Sequence, residues 1–278
     1  MRCCWEGSVS EGGRGKNVGA VAGVLGLLAV VFLKFKVYIF AAFKALPLLK
    51  LGWLLKGSAS LFLSLGLYMT LYGWKYAVTL ILLIYVHEMG HFVWMKAKGL
   101  QPKAPVFVPL VGAYVAMTHL PKDMATHAWV AYAGPLVGGL VAAVMYAVGM
   151  ASGNTYLIAA ANTGFIINLL QLVPVRPFDG GFIAGAISRW LYVPGIILLV
   201  AAALVLHSVL LTIVAVVGVF MLISMLRGKG ESDMTLATLP DRLVIAAAYF
   251  ALALLLGWFY HASEVDLIHL HGQGALRS

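Results

Sequence analysis

The stretch Tyr76–Met95 reads YAVTLILLIYVHEMGHFVWM: twenty residues, largely apolar, that contain the run His87-Glu88-Met89-Gly90-His91. An α-helix rises 1.5 Å per residue, so about 20 apolar residues cross the roughly 30 Å of bilayer hydrocarbon. On such a helix the i, i+4 spacing places both imidazoles on one face, a turn apart, where they can bind a single metal ion. Glu88 follows the first imidazole and can reach a metal-bound water as general base. The competing reading is a pair of core histidines bonded to neighbouring carbonyls. That reading must explain three polar residues buried close together on an apolar helix, each costly to desolvate.

The rest of the chain fits a membrane setting. Of its 278 residues 62% are apolar and 10% charged, with mean hydropathy +0.96. A soluble domain is roughly 45–50% apolar and about 25% charged. This balance excludes a soluble enzyme, a disordered chain and a coiled coil. The net charge of +9, from 19 Lys+Arg against 10 Asp+Glu, does not mark a nucleic-acid reader. The basic residues lie between apolar runs, as the positive-inside rule expects of cytoplasmic loops. The cysteines Cys3 and Cys4 are adjacent and offer no disulfide framework.

The expected architecture is an all-α polytopic membrane protein with about 7–8 transmembrane helices, a three-helix core and a short membrane-associated β-hairpin. Residues 1–17 read as a disordered cytoplasmic tail, 18–75 as N-terminal membrane helices, 76–190 as the core, 191–260 as C-terminal membrane helices and 261–278 as a polar tail. Basic residues precede Val18–Leu33, which suits a signal peptide, but no small-residue cleavage site precedes Lys34 and a retained helix is expected. Val37–Leu55 is interrupted by Lys44, Pro47 and Lys50, and Ser58–Gly73 follows. Further spans are Ala128–Met150, Tyr156–Val173 and Leu243–Tyr260. The stretch Leu191–Leu226 is too long for one crossing and is expected to turn near His207–Ser208. Between the first two core helices, PVFVPLVGAYVAM (105–117) is too short to cross as a helix and suits two strands with Pro109–Gly112 as their turn. Such a hairpin at membrane depth needs its backbone polar groups buried in protein or facing water.

Glu88 and Asp179 are the acids within or immediately beside the apolar spans, and ionisable residues at that depth are functional candidates. A catalytic zinc takes three protein ligands and leaves a fourth position open. Two histidines fall one short, and Asp179 can supply the third. It lies in Leu172-Val-Pro-Val-Arg-Pro-Phe-Asp-Gly-Gly181, where Pro174 and Pro177 break the preceding helix and the two glycines let the backbone bend. The alternative is a cytoplasmic turn residue or the N-cap of a short helix. Topology gives an independent check. With Lys96, Lys98 and Lys103 cytoplasmic, His91 lies about 7 Å from that end of its helix, and two further crossings return Asp179 to the same side.

HEMGH on a transmembrane helix, an apolar hairpin, Ala133-Gly134-Pro135 and PVRPFDGG together resemble the site-2 protease family of intramembrane zinc metalloproteases, over roughly residues 76–190. The resemblance implies one Zn2+ per chain held by His87, His91 and Asp179, with Glu88 as catalytic base. It implies a transmembrane protein as substrate, cleaved within or near the membrane in regulated intramembrane proteolysis. It also implies a membrane-associated sheet whose edge holds the unwound substrate as an added strand. Many members carry Asn eight residues before the ligand Asp, thought to hold substrate or oxyanion; this chain has Gln171 there, with Asn168 one turn earlier. Many also carry Asn shortly after Gly-Pro, whereas Gly134-Pro-Leu-Val-Gly138 here has the Gly-x-x-x-Gly spacing of close helix packing. Arg176 could assist an oxyanion or anchor the cytoplasmic face.

Two other classes stay open: a catalytically silent relative acting as a membrane scaffold, and a metal transporter using the His/Asp set. His207 reads as a packing histidine, His119 and His127 as loop residues flanking the hairpin, and His261, His269 and His271 as a solvated tail cluster. The expected location is a bacterial or archaeal cell membrane, in contact with the lipid bilayer and with the site toward the cytoplasm. Oligomeric state is not written in the sequence.

Overall fold

The computed structural model describes residues 58–109, 112–205, 207, 209–226 and 234–275. The expectations for residues 1–57 lie outside these. Helix α1 is Ser58–Tyr72 and α2 is Trp74–Ala97. A hairpin of β1 (Val106–Val108) and β2 (Gly112–Tyr114) leads to α3 (Met124–Ser152) and α4 (Thr155–Gln171). The short α5 (Asp179–Ile187) is followed by a 3-10 turn, Arg189–Leu191. The chain closes with α6 (Tyr192–Val205), α7 (Val209–Leu226) and α8 (Leu239–Ala275). Among the described residues, three helices are long and apolar enough to cross a membrane: α2, α3 and Leu239–Leu270 of α8.

Helices α2, α3 and α4 pack on one another, and α8 lies against α3 and α4. Met124, Ala131, Phe165, Ile183 and Tyr249 belong to the principal core that joins α3, α4, α5 and α8. Start signals explain the helix ends. Asp123 caps α3 by accepting from Thr126 N at 2.6 Å. Asn154 caps α4 by accepting from Tyr156 N and Leu157 N. With 17 residues, α4 rises only about 26 Å, and contacts with α2, α3 and α8 surround it.

The stretch 191–226 holds two helices, Tyr192–Val205 and Val209–Leu226, rather than one, as its length requires, and His207 between them has φ 49°. Helix α8 differs from expectation, because it continues through most of the segment read as a polar tail. Polar residues on α3 and α4 hold this extension. Asn162 donates to Tyr260 O and Ser263 Oγ, Ser263 is fully buried, and Tyr146 donates to Asp266. A hydropathy reading ends a helix where apolar residues stop, but a helix ends where its partners stop.

The hairpin forms where expected. Its register pairs Val106 with Tyr114, Phe107 with Ala113 and Val108 with Gly112, and Lys103 N donating to Ala116 O extends the arms. Phe107 N donates to Ser60 Oγ of α1 at 3.0 Å, so β1's outer edge is covered there. Phe107 therefore points its backbone away from β2, and its partner Ala113 must point its own toward β2's outer edge.

Candidate metal centre

Three segments meet at one end of the bundle. The last three turns of α2 bring His87, Glu88 and His91, which are 2%, 3% and 8% exposed. The first half of α3 forms a wall, and the segment 172–181 delivers Asp179. That segment folds back so tightly that a Cβ on Gly180 would stand 2.1 Å from Leu172 O, and one on Gly181 2.5 Å from Arg176 N. Two hydroxyls fasten it: Tyr249 of α8 donates to Leu172 O at 2.5 Å, and Tyr192 of α6 donates to Gly181 O at 2.7 Å. Asp179 is the first residue of α5, and its N-cap is Phe178, so the carboxylate does not cap the helix. It turns to the imidazoles instead. Asp179 Oδ2 lies 3.1 Å from His87 Nε2 and 3.3 Å from His91 Nε2, and the two Nε2 atoms are 3.1 Å apart.

The partners of the other ring nitrogens fix what these three atoms are. His91 Nδ1 is 2.8 Å from Val130 O, which can only accept. His87 Nδ1 is 2.8 Å from Asn168 Oδ1, and the orientation of that amide follows from Asn168 Nδ2 donating to Gly164 O at 2.8 Å. Both Nδ1 atoms therefore donate, so in the neutral imidazoles both Nε2 atoms carry a lone pair toward Asp179. Asp179 Oδ2 is buried and receives no hydrogen bond from the described residues. In that state three acceptors face one another, an arrangement that repels unless a proton or a metal ion lies among them. Their edges of 3.1–3.3 Å match the roughly 3.3 Å between ligands in a tetrahedral site with bonds of about 2.0 Å. The donor set fits a zinc ion, and His87, Glu88 and His91 are themselves close enough to bind a metal.

Glycine on α3 makes the convergence possible. A Cβ at Gly134 would stand 2.3 Å from His91 Nε2 and 2.9 Å from His87 Nε2, and one at Gly138 would stand 2.3 Å from Asn168 Oδ1. The Gly-x-x-x-Gly spacing serves close packing, as expected, and what it lets in is the imidazole pair and its supporting amide.

These donors open into a cavity of about 250 Å³ whose lining includes Glu88, Tyr114, Val115, His127, Gln171 and Asp179. The backbone of Val115, just beyond β2, faces the Glu88 carboxyl. Gln171 is on the lining, at the position suggested for substrate contact. Asn168, 1% exposed, has both ends of its amide engaged behind His87. Arg176 stacks on Phe182 at 4.8 Å. His127, expected in a loop beside the hairpin, lies in the first turn of α3 and lines the cavity. A signal was available in the spacing of His127, Val130, Ala131 and Gly134, which share one helix face.

Residues 75–162 match the family model of Peptidase family M50, the site-2 protease family. The match includes HEMGH and ends before Asp179. The chain is also similar to two curated proteins named "Probable zinc metalloprotease EGY1, chloroplastic". That of Arabidopsis thaliana is 31% identical over 108 residues, covering 37% of this chain and 18% of the relative. That of Oryza sativa subsp. japonica is 30% identical over 108 residues, covering 37% and 17%. The aligned part of the chain thus spans less than a fifth of the length of the curated relatives it matches.

Proposed function

We propose that this chain is an intramembrane zinc endopeptidase that hydrolyses peptide bonds in or near transmembrane segments of membrane-protein substrates. The observation that carries it is the convergence of His87 Nε2, His91 Nε2 and Asp179 Oδ2, all acceptors, beside the buried Glu88 carboxyl. His87, His91 and Asp179 hold one Zn2+, which when bound supplies Lewis acidity to the scissile carbonyl and to water. Glu88 takes the proton of the attacking water and passes it to the leaving amide nitrogen, so that carboxylic acid and amine separate as products. Asn168 and Val130 O keep the imidazoles in the binding tautomer.

A helical substrate bonds its carbonyls within itself and must unwind before hydrolysis. The outer edge of β2 is suited to receive it, since Ala113 presents its backbone there and lines the cavity with Tyr114 and Val115. An extended segment pairs with that edge as an added strand and brings a peptide bond to Glu88. Gln171 offers an amide donor from the cavity wall.

In this reading residues 76–190 are the catalytic core of a multi-pass protein of about 7–8 spans, with membrane helices before and after it. Lys96, Lys98, Lys103, Lys122, Arg176 and Arg189 lie in or near the segments that follow α2, precede α3 and flank Asp179, which directs the site's end to the cytoplasm by the positive-inside rule. The test is zinc stoichiometry in wild type, His87→Ala, Asp179→Asn and Glu88→Gln, read beside cleavage of a helical membrane substrate. One zinc per chain in wild type and Glu88→Gln, its loss in the two ligand variants, and cleavage by wild type alone are expected. A wild type that cleaves no better than Glu88→Gln sinks the enzyme reading and favours a scaffold.

A further inference from the structure

We propose that His127 binds the substrate backbone from the α3 wall of the cavity, an inference that rests on the peptidase reading. Its ring is 8% exposed and lines the cavity together with Glu88, Asp179 and Gln171. It shares a helix face with Val130, whose carbonyl holds His91, and with Gly134, which abuts both imidazoles. The ring packs on Phe182, three residues after Asp179, with centroids 4.7 Å apart. Its backbone is held as firmly, because Asp123 caps that turn and Met124 N donates to Thr235 O at 3.0 Å.

No hydrogen bond joins the His127 ring nitrogens to any described residue. A packing histidine in an apolar wall normally satisfies its ring N–H, since burying it unpaired is costly. Here a rigidly held, buried residue whose ring nitrogens carry no hydrogen bond to a described residue lines the cavity in which the substrate is to lie. A neutral imidazole carries one N–H and one lone pair, which match the C=O and N–H of an extended peptide. The strand added at β2 thereby gains a contact on α3 that does not depend on its side chains. His127 sets how the peptide lies and takes no part in holding the metal.

The test uses the full chain in detergent, loaded with zinc, and two competing probes. Acetohydroxamate reaches only the metal, whereas a leucine-rich peptide hydroxamate also extends a backbone along the cavity. His127→Phe keeps the ring packing on Phe182 and removes the polar edge; His127→Gln keeps a donor and an acceptor. His127→Phe is expected to weaken the peptide hydroxamate about five- to tenfold, the loss of one uncharged hydrogen bond. It should leave acetohydroxamate and zinc stoichiometry unchanged, and His127→Gln should restore binding to within about threefold of wild type. Unchanged peptide binding in His127→Phe overturns the proposal, as does equal weakening of both probes or loss of zinc in either variant. If His127→Phe does not fold, His127→Leu, which also removes the polar edge, decides by the same criteria. A wild type that holds no zinc and binds neither probe overturns the peptidase reading, and this inference with it, by a distinct pattern.

Discussion

Helices α3 and α7 are both strongly apolar, yet the structure uses them in opposite ways. On α3 most of the buried residues are small: Ala128, Ala131, Gly134 and Gly138 among them, with His127 a polar one and Met124 and Val130 the larger apolar ones. On α7, Ile213, Val216 and Phe220 are exposed, Phe220 by 72%, and Ala215 is buried. In a bilayer, lipid tails are as apolar as leucine, so large hydrophobic side chains gain little by turning inward. Small residues let backbones approach, and polar residues find partners there. The helix that shapes a membrane site is therefore marked by glycine and alanine, while bulk faces outward.

The comparison can be broken by adding bulk to α3. Gly134→Ala places a methyl against the imidazoles of His87 and His91 and, if they hold zinc as proposed, is expected to lower zinc affinity by about 100-fold or more, read by competition with a chelating dye; second-sphere losses alone reach 10–100-fold. Asn168→Leu removes the acceptor behind His87, and the same assay should show a loss of about 10- to 100-fold. Gly138→Ala acts on the same amide. Combined with Asn168→Ala, which removes the clashing atoms, it should cost less than the sum of the single changes, a coupling a double-mutant cycle reads directly. Tyr249→Phe deletes the bond to Leu172 O and should lower unfolding stability by about 1 kcal/mol. At the other extreme, Phe220→Leu on α7 should change stability by less than about 0.5 kcal/mol in a thermal melt. A large effect there would show that α7 meets protein rather than lipid on that face.

The motif His87–His91, the carboxylate of Asp179 and the hairpin were legible because each breaks the local pattern of an apolar chain. The break in Leu191–Leu226 was legible from length alone. Two kinds of feature were not. Asn168 and Asp266 act through partners on other helices, His87 and Tyr146, and no spacing within one helix encodes a pairing across 81 or 120 residues. His127 was hidden for another reason. It precedes the apolar run at Ala128 and was assigned to a loop, while the cap at Asp123 starts the helix earlier. Boundaries set by capping move residues from loop to wall, and the chemistry assigned to them changes accordingly.

The hydroxyl of Tyr249 on Leu172 O bears on biogenesis. HEMGH leaves the ribosome well before Tyr249, and until α8 packs, the connector that carries Asp179 lacks one of its two staples. A nascent chain thus exposes a paired-imidazole motif whose third corner is not yet fixed. The arrangement of His87, His91 and Asp179 is therefore secured late in synthesis.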